Sequence, residues 1–93
     1  MIKTFANNET ETFFTSGKCR RLRREIWKRA TMRLLQIDAA VDVMDLRLPP
    51  SNNLESLYKD RIGQWSIRIN KQFRVCFRFE NGNAYDVEIV DYH

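Results

Sequence analysis

The stretch that decides the fold covers residues 65–93, WSIRINKQFRVCFRFENGNAYDVEIVDYH, because apolar and polar residues alternate along three successive runs. Alternation with a period of two is typical of strands that bury one face of a sheet. The apolar sets of the three runs are Trp65, Ile67 and Ile69; Phe73, Val75, Phe77 and Phe79; and Tyr85, Val87 and Ile89. The pattern predicts a three-stranded antiparallel meander whose apolar side chains form the core.

The register of this meander follows from keeping the apolar sets on one face, since a slip of one residue would turn every core side chain outward. The prediction is that Ile69 opposes Phe73 and that Phe79 opposes Tyr85. Both connections then contain three residues. A two-residue Asn-Gly turn is disfavoured because it would put the faces of the second hairpin out of phase.

On the other face, the same register places Arg68 directly opposite Arg74. Like charges in opposed positions destabilise a sheet, so an anion between the two side chains would relieve the repulsion. Arg78 is predicted to pair with Asp86 across the strands, and Tyr92 projects on the same side as Arg74. Arg68 and Arg74 have no equivalent partner in this reading.

The part of the chain before residue 46 is predicted to be mainly helical, after a first short strand in MIKTF at residues 1–5. Asn8 followed by Glu11 resembles a helix-start box, and the helix it opens should stop near Gly17. A second apolar pattern has helical spacing and predicts one long helix or two consecutive helices with one face on the core. Its residues are Leu22, Ile26, Ala30, Leu34, Ile37, Val41 and Met44. A short strand is also predicted around residues 54–57. With helices in the first half of the chain and strands in the second half, the predicted fold class is α+β.

Length and composition set further limits. The 93 residues are predicted to form a single domain, 1–93. No apolar run approaches the ~20 residues that cross a bilayer, and the start lacks a secretory signal, so a cytoplasmic protein without membrane contact is expected. Cys19 and Cys76 have no metal-like spacing and His93 is the only histidine. Neither a metal site nor a disulfide is expected.

The net charge of +4 is unevenly distributed along the chain. Residues 18–33 carry one acid, Glu25, among a run of basic side chains. These are Lys18, Arg20, Arg21, Arg23, Arg24, Lys28, Arg29 and Arg33. Such a block indicates a polyanionic partner, most often nucleic acid, although a solvated helix face would have the same composition.

The chain ends on Asp91, Tyr92 and His93, which the register carries to the end of the sheet where Arg68 and Arg74 lie. Asp91 and His93 fall on the face opposite Tyr92 unless a bulge or the sheet twist turns them. These residue types suit metal-free RNA cleavage, in which a 2′-hydroxyl loses a proton, a leaving oxygen gains one and cations hold the phosphate. Histidine transfers protons near neutral pH and arginine contacts phosphate through two donors. Each residue also has an ordinary structural explanation at a chain end.

Several segments together resemble the HigB toxins of the RelE superfamily, also called plasmid maintenance system killer proteins. They are MIKTF, FFTSGKCRR, LLQIDAA, LRLPPSNNLESL, GQWSIRINKQFRVCFRF and VEIVDYH, and they cover nearly the whole chain. The resemblance implies a RelE-like microbial ribonuclease fold, with a twisted, mainly antiparallel sheet and N-terminal helices on one face. It further implies a type II toxin that cuts messenger RNA in the ribosomal A site, leaves a 2′,3′-cyclic phosphate and needs no cofactor. The implied partner is a HigA-type helix-turn-helix antitoxin, and operator DNA is contacted only through the toxin–antitoxin complex.

The family's terminal Asp-Tyr-His falls on Asp91, Tyr92 and His93 of this sequence. Its phosphate-binding arginine falls on Arg74, and Arg68 lies close to a further basic position of the superfamily. These assignments come from the resemblance and not from the strand register.

One segment departs from the family pattern. Many HigB-like sequences have His-Pro-Leu-Lys before the tryptophan of the meander, whereas this chain has Glu55-Ser56-Leu57-Tyr58, followed by Lys59. A carboxylate therefore replaces a histidine, and the division of general acid and base between Glu55 and His93 stays open. Lys59 is assigned to phosphate binding, and the loss of one histidine suggests a milder toxin.

The resemblance also implies a role for the basic block of residues 18–33. Its residues would hold the protein against ribosomal RNA through salt-sensitive phosphate contacts, or would face an acidic surface of the antitoxin. The ones assigned to this role are Lys18, Arg20, Arg21, Arg23, Arg24, Lys28 and Arg29. Two alternatives to the ribonuclease remain: a non-catalytic nucleic-acid-binding module, and a toxin that inhibits translation only by occupying the ribosome.

Overall fold

A computed structural model describes residues 1–92 of the protein, which form two α-helices and a four-stranded sheet. The helices and strands are α1 (Asn8–Ser16), α2 (Arg24–Ala39), β1 (Glu55–Ser56), β2 (Trp65–Arg68), β3 (Phe73–Glu80) and β4 (Asn83–Asp91). Short 3₁₀ helices lie at Val43–Arg47, Pro50–Asn52 and Lys59–Arg61. The strand order is β1-β2-β3-β4, and every neighbouring pair is antiparallel. The predicted α+β class and the meander are confirmed.

Helix α1 begins at a side-chain cap one residue earlier than the sequence predicted. Asn7, and not Asn8, accepts a hydrogen bond from the Thr10 backbone N–H at 2.8 Å through its side-chain oxygen. The predicted end at Gly17 is confirmed: this residue has a φ of 75° and its N–H donates to the Phe13 carbonyl at 2.7 Å. A left-handed backbone at this position is what glycine adopts without steric cost.

Helix α2 buries one face against the sheet, as its apolar spacing predicted. The buried members of the predicted stripe are Leu22, Ala30, Leu34 and Ile37. The prediction was wrong for Val41 and Met44, which are 78% and 44% exposed. The helix ends at Ala39, and a 3₁₀ turn capped by Asp42 follows, so these two residues leave the helical face.

The predicted N-terminal strand is reduced to two isolated parallel bridges beside β4. Ile2 pairs with Ala84 and Phe5 pairs with Val87. The segment still covers this edge of the sheet, because the Lys3 N–H donates to the Ala84 carbonyl at 2.8 Å.

The connection between β3 and β4 differs from the sequence prediction. Glu80 pairs with Asn83, so the loop is the two-residue turn Asn81-Gly82. Both turn residues have positive φ, 51° and 80°, which is the conformation that a tight hairpin with a matching strand twist requires. As a result, the predicted pairing of Phe79 with Tyr85 is wrong, and Phe79 opposes Ala84 instead.

A bulge in β4 then restores the predicted register. Next to the turn Arg78 opposes Tyr85, but beyond the bulge Arg74 opposes Val90, as the sequence predicted. The register shifts between Cys76 and Arg78, and Asp86 has a φ of 53° at this point, which is typical of an extra bulged residue. The predicted ion pair also forms, with Arg78 Nε 3.4 Å from Asp86 Oδ2.

The second face of the sheet is buried over its centre, which alternation alone does not reveal. Cys76 is fully buried on this face, and burial raises the pKa of its thiol. The connection between β1 and β2 covers the face and is fastened by Arg61 Nη1, which lies 3.0 Å from Glu88 Oε1. The backbone N–H of Leu57 donates to the Gln64 carbonyl at 2.9 Å and closes this connection on itself.

None of the helices within residues 1–92 is both long and apolar enough to span a membrane.

Candidate functional site

Arg74 lies at the centre of a polar cluster on the second face of the sheet. Its guanidinium Nε donates to the Ser66 hydroxyl at 2.8 Å, and Nη2 donates to the Asn53 carbonyl at 2.6 Å. Nη2 also lies 3.1 Å from Glu55 Oε1. The side chain of Arg74 is only 8% exposed, whereas that of Glu55 is 53% exposed. The guanidinium is therefore held rigidly, with the carboxylate at the solvent side.

The prediction that Arg74 has no partner was wrong. Strand β1 pairs with β2 so that Glu55 opposes Ser66, and this places the carboxylate over the same face as Arg74. The backbone pairing of Arg68 with Arg74 was predicted correctly. No anion is needed between the two residues, because Arg68 is exposed and its Nε donates to the Asn70 carbonyl at 3.1 Å.

Tyr92 joins the Arg74 cluster on the predicted side. The centre of its ring lies 6.0 Å from Arg74 Cζ, a distance at which a guanidinium attracts an aromatic face. The backbone N–H of Tyr92 donates to the Gln72 carbonyl, which ties the end of the described chain to the β2–β3 connection.

Asp91 does not lie on the Arg74 face. It pairs with Phe73, a core residue, so its side chain belongs to the opposite side of the sheet, as the register predicted. One carboxylate oxygen of Asp91 accepts a hydrogen bond from Gln72 Nε2 at 3.1 Å. The structure thus brings Tyr92, Glu55 and Arg74 together and leaves Asp91 on the other face. His93, the remaining predicted residue, lies outside the described residues.

An open cleft of about 470 Å³ adjoins this cluster. Its lining residues are Glu55, Ser56, Leu57, Tyr58, Lys59, Asp60, Arg61 and Tyr92. Lys59, which the sequence assigned to phosphate binding, therefore shares a cleft with Glu55 and Tyr92. The cleft carries cationic, anionic and aromatic side chains and is open to solvent.

The basic block is not uniformly exposed, and two of its arginines bond to the backbone of the sheet. Arg33 is buried and donates from Nε to the Arg68 carbonyl at 2.8 Å; burial and, to a lesser extent, Arg29 lower the pKa of its guanidinium. Arg21 donates from Nη2 to the Ile89 carbonyl at 2.8 Å and lies 3.1 Å from Glu9. Arg33 and Arg21 therefore hold elements of the fold together.

The remaining basic residues of the block lie on the surface. Arg24 is 5.6 Å from the ring centre of Trp27, and Arg23 is 4.0 Å from Glu25. The others, all exposed, are Lys18, Arg20, Lys28 and Arg29. Arg23 also lines a cleft with residues 70–73, so the start of α2 lies beside the β2–β3 connection that holds Tyr92.

Within residues 1–92 no group of three or more histidine, cysteine, aspartate or glutamate side chains lies close enough together to hold a metal ion. The two cysteines are both free and buried.

The four-stranded antiparallel sheet with two N-terminal helices is an α+β fold that also occurs in solved toxin structures. The YoeB–YefM complex from Staphylococcus aureus contains a chain of this fold, with a TM-score of 0.63 and 18% identity, covering 100% of this chain and 95% of that one. A YoeB/ParE toxin from Agrobacterium tumefaciens has a TM-score of 0.54 and 14% identity, with 99% and 98% covered. At these identities the likeness concerns the fold alone.

Sequence comparison then gives the family. The family model described as the RelE-like toxin of type II toxin-antitoxin system HigB matches residues 3–93. "Endoribonuclease HigB" of Proteus vulgaris is 33% identical over 93 residues, covering 100% of both chains. "Toxin HigB-1" of Vibrio cholerae is 39% identical over 85 residues, covering 90% of each. This chain belongs to the HigB-like toxin family, which confirms the resemblance read from its sequence.

Proposed function

We propose that this toxin is a ribosome-dependent endoribonuclease that cuts messenger RNA in the ribosomal A site without a metal ion or other cofactor. The observation that carries the proposal is the rigid Arg74 guanidinium, which contacts Glu55 and Tyr92, two residues that line an open cleft. The name of the Proteus vulgaris relative supports RNA as the substrate. The whole chain, residues 1–93, would act as one domain in the cytoplasm, where ribosomes work.

Cleavage of the phosphodiester requires two proton transfers, one from the attacking 2′-hydroxyl and one to the leaving 5′-oxygen. A base removes the proton from the 2′-hydroxyl, whose oxygen attacks the adjacent phosphorus, and the 5′-oxygen leaves with a proton from an acid. The products are a 2′,3′-cyclic phosphate and a 5′-hydroxyl. The pentavalent phosphate carries extra negative charge, which a preorganised cation stabilises.

Arg74 is the proposed phosphate-binding residue. Four contacts fix its guanidinium, so the free-energy cost of reorganising this side chain would be small when a phosphate binds. Tyr92 covers one side of this guanidinium and would contact the same phosphate through its hydroxyl group. Lys59 and Arg68 would bind neighbouring phosphates of the message.

Glu55 is the proposed general base and His93 the proposed general acid. A carboxylate 3.1 Å from the phosphate-binding guanidinium lies where a 2′-hydroxyl next to that phosphate would come, and its exposure leaves it accessible to RNA. Asp91 is proposed as a positioning residue, because its bond to Gln72 fastens the end of β4, after which Tyr92 and His93 follow in the sequence.

The proposed regulatory partner is a HigA-type helix-turn-helix antitoxin. The family description, which places these toxins in type II toxin–antitoxin systems, supports an antitoxin partner, as do the complexes in which the Staphylococcus aureus neighbours were solved. Contact with operator DNA would occur only through the toxin–antitoxin complex.

Cleavage on ribosomes is the experiment that tests this function. Purified toxin is incubated with programmed ribosomes carrying a labelled message, in parallel with ribosome-free RNA, and the product ends are analysed for cyclic phosphate. Wild-type toxin should cut only the ribosome-bound message. His93→Ala should cut about a hundredfold more slowly, the lower end of the effect expected for one general acid or base. Ribosome binding without cleavage would overturn the proposed chemistry and leave an inhibitor that acts by occupancy.

The exposed basic residues give a separate prediction about ribosome binding. The double variant Arg20→Glu/Lys28→Glu should weaken binding about tenfold or more and reduce its salt dependence, since fewer phosphates would be contacted. The control Lys3→Glu/Arg47→Glu has the same change in charge at exposed positions outside the block. Equal weakening by both pairs would show a general charge effect. A loss of antitoxin affinity alone would assign these residues to the antitoxin interface.

A further inference from the structure

The candidate cleft has an aromatic rim residue that the sequence analysis did not assign. Tyr58 lines the cleft together with Glu55, Lys59 and Tyr92, and Tyr58 is 78% exposed. Removing a tyrosine ring from water lowers the free energy, so an exposed ring at the rim of a binding cleft offers favourable contact area to a ligand. Exposure alone does not mark a site, since apolar atoms are common on protein surfaces.

The backbone around Tyr58 is fixed, which distinguishes it from an exposed side chain on a loose loop. The Tyr58 carbonyl accepts a hydrogen bond from the Arg61 N–H at 3.1 Å. The next residue, Lys59, has a φ of 56°, a left-handed conformation that costs a side-chain-bearing residue free energy and persists where the surrounding structure holds it.

Arg61 fastens this turn to the sheet. Its Nη1 lies 3.0 Å from Glu88 Oε1 and also donates to Gln64 Oε1 at 3.0 Å. Both side chains of the Arg61–Glu88 pair are partly shielded, at 31% and 24% exposure, and their interaction is accordingly less screened than that of a surface pair. Burial alone would lower the pKa of Arg61, but the hydrogen bond to Glu88 and nearby negative charge raise it overall. The ring of Tyr58 is thus presented from a turn that is anchored on β4.

The chemistry around the ring suits an unpaired nucleobase. Single-stranded RNA is held by cations along its backbone and by aromatic rings on which its bases stack. Here Lys59 follows Tyr58 in sequence, and Glu55, which lines the same cleft, lies 3.1 Å from the guanidinium of Arg74. A phosphate at Arg74 would place a neighbouring base within the same cleft as Tyr58.

We infer that Tyr58 forms a stacking subsite for the unpaired nucleobase adjacent to the scissile phosphate. The inference rests on the proposed function and deepens it, because it gives this cleft a base-binding wall in addition to its phosphate-binding one. Stacking accepts any base, so Tyr58 would position the message without defining its sequence.

Two readouts test the subsite on programmed ribosomes. The first uses a message with 2-aminopurine next to the cleavage position and a 2′-O-methyl group that blocks attack; stacking quenches the 2-aminopurine fluorescence. The second is single-turnover cleavage of an unmodified message at saturating toxin. The variants are Tyr58→Ala, Tyr58→Leu and Tyr58→Phe, with Ile62→Ala as a matched control. Ile62 is an exposed residue that follows the same 3₁₀ turn but does not line the cleft.

Wild type, Tyr58→Phe and Ile62→Ala should quench the fluorescence and cleave at similar rates. Tyr58→Ala and Tyr58→Leu should lose the quench and cleave about tenfold more slowly, the size expected for one base–aromatic stack. Unchanged quench and rate in Tyr58→Ala would overturn the inference, as would equal losses in Tyr58→Ala and Tyr58→Phe, which would point to the hydroxyl. If the wild type quenches but does not cleave, the subsite stands and the proposed chemistry fails.

Discussion

Arg74→Ala is expected to reduce the single-turnover rate of RNA cleavage by about a thousandfold, the upper range for removal of one preorganised group that stabilises transition-state charge. The same change should lower the free energy of unfolding by about 2–4 kcal/mol, because it strands hydrogen-bonding groups that burial keeps from water. Those groups are the hydroxyl and the carbonyl of Ser66, a fully buried residue. The measurements are cleavage on programmed ribosomes and chemical denaturation.

Arg74→Lys separates the two effects. A lysine keeps the positive charge but has one ammonium group in place of a planar fork, so it cannot reach Ser66, Asn53 and Glu55 at once. We expect most of the stability to return and the rate to stay at least tenfold below that of the wild type. A cleavage rate equal to the wild type in Arg74→Lys would contradict a fork-shaped contact with phosphate. Wild-type cleavage in Arg74→Ala would remove Arg74 from the site.

Local patterns in the sequence predicted most of the sheet. The alternation of residues 65–79 and the face matching of the first hairpin gave the Arg68–Arg74 pairing that the structure has. The same reasoning failed at Asn81-Gly82, because it assumed that a strand keeps its phase from end to end. The bulge at Asp86 breaks that assumption and allows the tight turn and the apolar face to coexist. Asp86 would have been hard to identify, since no periodicity marks a single inserted residue.

The surroundings of Arg74 were not predictable from local pattern, because they come from tertiary contacts. The partner, Glu55, lies on a two-residue strand that is too short to show alternation. The basic block shows the same limit: Arg21 and Arg33 belong to a run of charged residues but donate to backbone carbonyls of β4 and β2. Charge counting cannot separate such structural arginines from others such as Arg20, because only the fold decides which side chains bond to the backbone and which, like Arg33, are buried.

Glu55→Gln is expected to lower the cleavage rate by about a thousandfold if Glu55 is the general base, since the amide keeps the shape but cannot accept the 2′-hydroxyl proton. Stability should change by less than about 1 kcal/mol, because Glu55 is 53% exposed and partly exposed ion pairs contribute little. Asp60→Asn is the matched control, as it removes one carboxylate from the same cleft. Its rate should remain within about twofold of the wild type, as is usual for a charge that contacts no reacting group.

The structure also allows the opposite outcome, in which the rate of Glu55→Gln rises. Glu55 and a phosphate would compete for the same guanidinium, so a carboxylate that only blocks Arg74 would slow the wild-type enzyme. Glu55→His tests whether the carboxylate at this position makes the enzyme slower. A histidine removes the competing negative charge and also supplies a proton acceptor near neutral pH, so single-turnover cleavage should be faster than in the wild type. A Glu55→His rate no higher than the wild type would argue against a milder enzyme caused by this replacement, and a fast Glu55→Gln variant would assign the base to another residue.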